Sequence, residues 1–286
     1  MTSAEMFMLR RKAVNVAMLS LTGVFTVLTA GLLLFILGYL FWYGGRSVNW
    51  AFLTELPKPV GEEGGGMANA IVGSGKILGL ATLIGFPVGF LAGVYLSEYG
   101  TGYTSSFIRY VTDLLNGVPS IVMGVFVYTI AVLPVKHFSA YAGAIALGIM
   151  MVPIAVRSTE EYLRAVPNEL REAALALGAP KWRVIVSIVI PAAASGILTA
   201  LMLGVARVAG ETAPLLFTSF GNQYWSKGMD QPTSTLPVMI FQYAVSPYDD
   251  WHRQAWAAGF VLLISILIIN TIARFLVSRR FSHKSR

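Results

Sequence analysis

Arg207 and Glu211 are the side chains whose types and spacing most directly suggest chemistry. They interrupt a run without charge from Val184 onward, which then reads Arg207-Val-Ala-Gly-Glu211-Thr-Ala-Pro214 and returns to apolar residues. An ionisable residue at the centre of a membrane helix costs about 2.5–3.5 kcal/mol on insertion scales and less near the interface, so it needs a partner or a task. The two lie one helical turn apart, so they can share a face and pair. They also suit an oxyanion. A guanidinium offers a rigid fork of donors matched to two phosphate oxygens. Ionised Glu211 can only accept, so it could take the P–OH proton that hydrogen phosphate carries and sulfate lacks near neutral pH. Along a continuous helix Arg207 stands roughly 35 Å beyond Val184. Shortened by tilt and by any kink at Pro191, that distance predicts the outer half of the membrane or its outer edge.

Other chemistries find no residues. Gly73-Ser74-Gly75-Lys76 looks briefly like a nucleotide loop, but that motif needs Gly, four residues, Gly-Lys and then Ser or Thr. Here Ala70 and Ile77 stand at the deciding positions, so no ATP site is expected in this chain. There is no cysteine, hence no disulfide framework, and the three histidines have no ligand spacing, so no metal is expected. No Ser/His/Asp set or carboxylate pair converges, which argues against an enzyme.

The elements that must position these residues are membrane helices. Across 286 residues, 56% are hydrophobic, 12% are charged and the mean hydropathy is +0.67, which describes a polytopic all-α membrane protein. The +7 net charge sits at the ends of apolar runs, not in one patch with interleaved aromatics, so nucleic acid is not expected. Six transmembrane helices are expected near 14–41, 70–97, 107–134, 138–157, 184–216 and 255–278. Fourteen Lys and Arg fall on the inner side of this arrangement and six on the outer, leaving Arg207 aside, which predicts both termini in the cytoplasm. Aromatics agree: Tyr39, Trp42, Tyr43, Trp251 and Trp256 mark the outer interface and Trp182 the inner. The run after Arg10, Arg11 and Lys12 is too long for a signal peptide and reads as an uncleaved span.

The boundaries expected are a cytoplasmic tail 1–13, a first transmembrane helix 14–43, an external loop 44–68, a core of five spans over 69–278 and a second tail 279–286. In the third span Arg109 and Asp113 are spaced for an i, i+4 pair near the inner interface. Gly117 and Pro119 then break the helix, and such breaks expose backbone groups that can line a pathway. The outer loops, 44–68 and 217–254, could receive an extracytoplasmic protein.

A polar stretch between spans, Arg157 to Val184, holds five Lys or Arg and four Glu and cannot lie in lipid. Within it, a loop at 158–183 is expected to face the cytoplasm. Asn168 serves as an N-cap there, Glu169 favours the first turn, Gly178 supplies a left-handed stop and Pro180 prevents continuation. Leu170, Ala173, Ala174 and Leu177 share one face of this short helix, which needs a partner because it is marginal alone.

Glu172-Ala173-Ala174, Gly178 four positions on and Ile190-Pro191 closing the next apolar run resemble the EAA loop of ABC importer permeases. Gly117-Val-Pro119-Ser, Arg207-Val-Ala-Gly-Glu211 and Leu236-Pro237 resemble the phosphate-importer permeases in particular, over about residues 67 to 278, and overall similarity favours the PstA type. That resemblance implies a type I ABC importer permease fold in a bacterial inner membrane. It implies that Glu172, Ala173, Ala174 and Gly178 couple to an ATPase. Arg207 and Glu211 would lie on the phosphate pathway. The implied partners are a homologous permease of the PstC type, an ATPase homodimer that binds ATP and Mg, an extracytoplasmic phosphate-binding protein and membrane lipid.

Overall fold

In the computed structural model, residues 3–282 are described, apart from 60 and 63; Lys284 and Arg286, two of the charges used for orientation, lie outside the described residues. The chain is helical with short connections. Helix α1 spans Ser3–Tyr39 and continues through a π-helical turn, Leu40–Gly44, to Ser47. Then come α2 (Ala68–Glu98), α3 (Gly102–Gly117) and α4 (Ser120–Val132, its last five residues a π-helical turn). The rest are α5 (Ala140–Arg164), α6 (Asn168–Ala176), α7 (Lys181–Ala209), α8 (Ala213–Thr218), α9 (Leu236–Ala244) and α10 (Asp249–Ser282). Among the described residues, five helices are long and apolar enough to cross a membrane, and α3 with α4, bent by 103°, brings the number to six if the pair is one broken span.

That bend corrects the expected third span, 107–134. Val118 is extended (φ −70°, ψ 126°), as the residue before a proline prefers, and Pro119 cannot donate the hydrogen bond that would continue α3. Residues 102–117 therefore form a separate helix carrying Arg109 and Asp113. The thirteen residues of α4 rise only about 20 Å.

The bundle is built on α2 and α5. Gly85, Gly89 and Gly93 recur every four residues and so share one face of α2. A Cβ added at them would meet Gly148 O at 2.4 Å, Ala155 Cβ at 2.5 Å and Thr159 Cβ at 2.6 Å, all on α5. Lipid supplies no hydrophobic drive between helices, so this close backbone approach, with the dispersion contacts it allows, holds the pair. Ser139 Oγ starts α5 by accepting from Ala142 N–H at 3.2 Å. On the other side of α5, Val205 and Val208 of α7 and Leu215 of α8 join Ile77, Ala81, Leu147 and Met151 in the buried core.

Helix α1 stands apart. None of the apolar window in Met6–Ser47 is buried. It meets the bundle at its C-terminal end, where Gly44 lies so close to α10 that a Cβ would sit 2.6 Å from Trp256 O, and Tyr39 packs edge-on to Trp256.

Candidate functional site

At one end of the bundle, where α2 and α5 finish, charges from five helices meet. Glu160 of α5 is 4% exposed and accepts from Arg109 of α3 at 2.8 Å and from Arg164, one turn on, at 2.8 Å. Asp113 of α3 is paired with Arg157 of α5. The i, i+4 pair expected between Arg109 and Asp113 is therefore replaced by two pairs across helices. Both charges lie on α3, and α5 runs alongside offering a carboxylate to one and a guanidinium to the other. The pairs tie the bent element to α5 one to two turns before the polar loop.

Helix α6 fills that loop. Pro167 (φ −56°, ψ 140°) stands at the N-cap and Asn168 is already helical, without a side-chain cap bond. The expected Asn168 cap is thus displaced by one residue, because proline presets the entry; Asn168 Oδ1 instead accepts from Arg171 Nη1 at 3.3 Å. The helix closes in a Schellman motif: Gly178 N–H donates to Leu175 O at 2.9 Å and Ala179 N–H to Ala174 O at 3.3 Å, with Gly178 at φ +80°. Of the stripe Leu170, Ala173, Ala174 and Leu177, only Ala174 turns inward. Ala174 is 7% exposed, whereas Leu170 is 46%, Leu175 47% and Leu177 90% exposed. Glu172 and Ala173 are exposed beside them. The chain's own bundle covers little of this apolar surface.

Arg207 and Glu211 lie elsewhere. Helix α7 ends at Ala209, Gly210 caps it, and Glu211 is the middle residue of the three-residue break before α8, so the i, i+4 register that would pair them is lost. Among the described residues neither side chain makes an ion pair or hydrogen bond. Arg207 is exposed on a stripe of α7 with Ala192, Ser195, Leu203 and Gly210, and Thr199 lies half-buried in line with them. On the opposite face, Gly204 approaches Met151 and Ile154 of α5, and Val208 packs in the cluster with Leu147 and Met151. Leu147 stands about midway between Ser139, which starts α5, and the charged Arg157, while Met151 and Ile154 lie nearer Arg157. Arg207 is thus level with the middle part of α5.

The break that carries Glu211 is braced by the other break. A Cβ at Gly124 of α4 would meet Pro214 Cα of α8 at 2.7 Å. Gly117 and Pro119, which aim α4, therefore help to seat α8. Sequence reasoning passed over Glu98, a single acid at the end of an apolar run, and Glu160, one of two adjacent acids at the end of another. It also passed over Ser195 and Thr199, two hydroxyls one turn apart in a mostly apolar span, which were the available signal.

The chain belongs to the family described as binding-protein-dependent transport system inner membrane component, which matches residues 85–282. It is a multi-pass inner membrane protein and a permease subunit, not an enzyme. It is 46% identical over 262 residues to the phosphate transport system permease protein PstA of Yersinia pestis, covering 89% of each chain. It is 43% identical to PstA of Xylella fastidiosa (strain Temecula1), covering 97% of each. PstA 1 of Mycobacterium tuberculosis (strain H37Rv) is 40% identical over 222 residues, or 76% of this chain and 72% of that protein. Solved structures share the fold at low identity. One is a bacterial ABC transporter involved in alginate import (TM-score 0.62, 14% identity, 97% of this chain and 99% of that one). Another is the inward-facing MetNI methionine ABC transporter (TM-score 0.57, 18% identity, 77% and 98%). The architecture is that of the type I ABC importer permeases.

Proposed function

We propose that this chain is one of two permease subunits of an ATP-driven importer of inorganic phosphate. The observation that carries this reading is Arg207, unpaired and exposed on a stripe of α7 with Ser195 and Thr199. Facing lipid, that stripe would carry the cost of an unpaired charge on a membrane span. Facing a second permease across a water-filled pathway, it becomes the wall along which an oxyanion moves. The relatives' printed names make phosphate the anion expected. Glu211, close to the guanidinium in sequence and without a partner among the described residues, is free to accept a hydrogen bond from the P–OH.

The charged end of the bundle lies in the cytoplasm under this reading, with both termini on that side. The bias of Lys and Arg toward that end supports it. Helix α6 is then the coupling helix, and its exposed Leu170, Leu175 and Leu177 dock into a groove of the ATPase with Glu172 alongside. The ATPase homodimer binds ATP and Mg. A homologous permease of the PstC type completes the pathway, and an extracytoplasmic phosphate-binding protein delivers the substrate to the loops at the opposite end. ATP binding and hydrolysis move the ATPases, α6 follows, and the pathway alternates between outward and inward access.

The test is transport by the assembled complex with Arg207→Ala and Glu211→Gln. Loss of phosphate uptake while the complex still assembles supports the pathway role. Normal uptake by both variants would reduce the two residues to bystanders.

A further inference from the structure

Glu98, the last residue of α2, is nearly enclosed, with a side chain 5% exposed. Its carboxylate receives both edges of one guanidinium: Arg171 Nη2 donates to Oε1 at 2.9 Å and Nε to Oε2 at 3.4 Å. Arg171 is the inward-facing charge of α6, 16% exposed. Its remaining donors reach Leu163 O in the last turn of α5 at 2.7 Å and Val166 O just beyond it. Ser97 Oγ holds the same Oε1 at 3.1 Å. The backbone of Glu98 is held as well. Lys181, which opens α7 on the far side of the loop, donates from Nζ to Glu98 O at 2.6 Å and lies 4.3 Å from the Tyr99 ring centre. One residue thus meets both flanks of the loop.

Helix α6 has few other ties to the bundle. Only Ala174 of its side chains is fully buried, and its other apolar groups face outward. Helix α2, in contrast, is locked along its length to α5 by the Gly85, Gly89, Gly93 face. We infer that Glu98 is a positioning residue for energy coupling: it clasps Arg171 and Lys181, so that displacement of α6 is delivered to the rigid α2–α5 pair and not dissipated in the loop. A planar fork against a carboxylate transmits direction as well as attraction, which a point charge does not. The inference rests on the reading of α6 as the coupling helix.

The experiment uses the complete complex in proteoliposomes, with the binding protein outside and ATP inside, and measures phosphate taken up per ATP hydrolysed. In parallel, Leu177→Cys, in a chain that has no cysteine of its own, carries a cross-linker to report contact of α6 with the ATPase. Glu98→Gln keeps the shape and removes the charge; Glu98→Asp keeps the charge. The expected result is a fall of about fivefold in phosphate per ATP for Glu98→Gln, and at least half of the normal ratio for Glu98→Asp. The cross-link forms with native Glu98, and its weakening together with a lowered ratio in Glu98→Gln supports a seat held by this residue. A Glu98→Gln ratio that stays normal, whether both rates persist or fall together, overturns the clasp. So does a Glu98→Asp complex as uncoupled as Glu98→Gln. Failure of Leu177→Cys to cross-link with Glu98 intact overturns the coupling-helix reading itself, and is thereby told apart from failure of the clasp.

Discussion

Gly178 and Arg207 act through different physics, and their replacements fail differently. Gly178 stands at φ +80° with no atom within 4 Å of an added Cβ, so a side chain there meets open space but a strained backbone. Gly178→Val is expected to cost about 1–2 kcal/mol locally and to loosen the end of α6. Co-purification of the ATPase should weaken while the amount of chain inserted in the membrane is unchanged; undiminished co-purification would count against α6 as the docking element. Arg207 has no such backbone role. Arg207→Ala should lower phosphate uptake by about tenfold or more, because a preorganised donor pair is lost, and Arg207→Lys should recover it only in part because an ammonium lacks the planar fork. Equal uptake by the Lys and wild-type complexes would show that charge alone suffices.

At the scale of elements, the decisive contact is α2 on α5, and identical substitutions along α2 should have opposite signs. Gly89→Ala drives a methyl into Ala155 Cβ at 2.5 Å and Val152 O at 2.8 Å, whereas Gly79→Ala meets nothing within 4 Å. The first is expected to cost about 1–3 kcal/mol by overpacking, and the second to be neutral or to stabilise by up to about 1 kcal/mol through helix propensity. Melting of the purified complex should therefore fall for Gly89→Ala and not for Gly79→Ala. Much of this level was legible in the residues. Continuous apolar runs marked the spans, Gly117 and Pro119 marked the break, and Gly178 with Pro180 marked the end of α6. What was not legible depended on which helices become neighbours. Arg109 and Asp113 satisfy a local spacing rule, yet α5 supplies each with a better-placed partner. Glu98 meets Arg171 and Lys181 across 73 and 83 positions, a distance over which no periodicity carries information. Arg207 and Glu211 are one turn apart in sequence, but the helix stops between them.

For the whole molecule, one end of the bundle carries an amphipathic helix with exposed leucines on a charged clasp, one face carries an arginine with no partner among the described residues, and α1 leaves its apolar length uncovered. Under the function proposed above, the first two are surfaces for partner subunits and lipid covers the third. The measurement that tests the central claim most directly is uptake of radiolabelled phosphate into proteoliposomes holding this chain, a homologous permease and the ATPase, with the binding protein outside, ATP inside and sulfate as competitor. The account predicts uptake that requires every component and is unaffected by sulfate. Uptake by this chain without the ATPase, or uptake that sulfate abolishes, would contradict it.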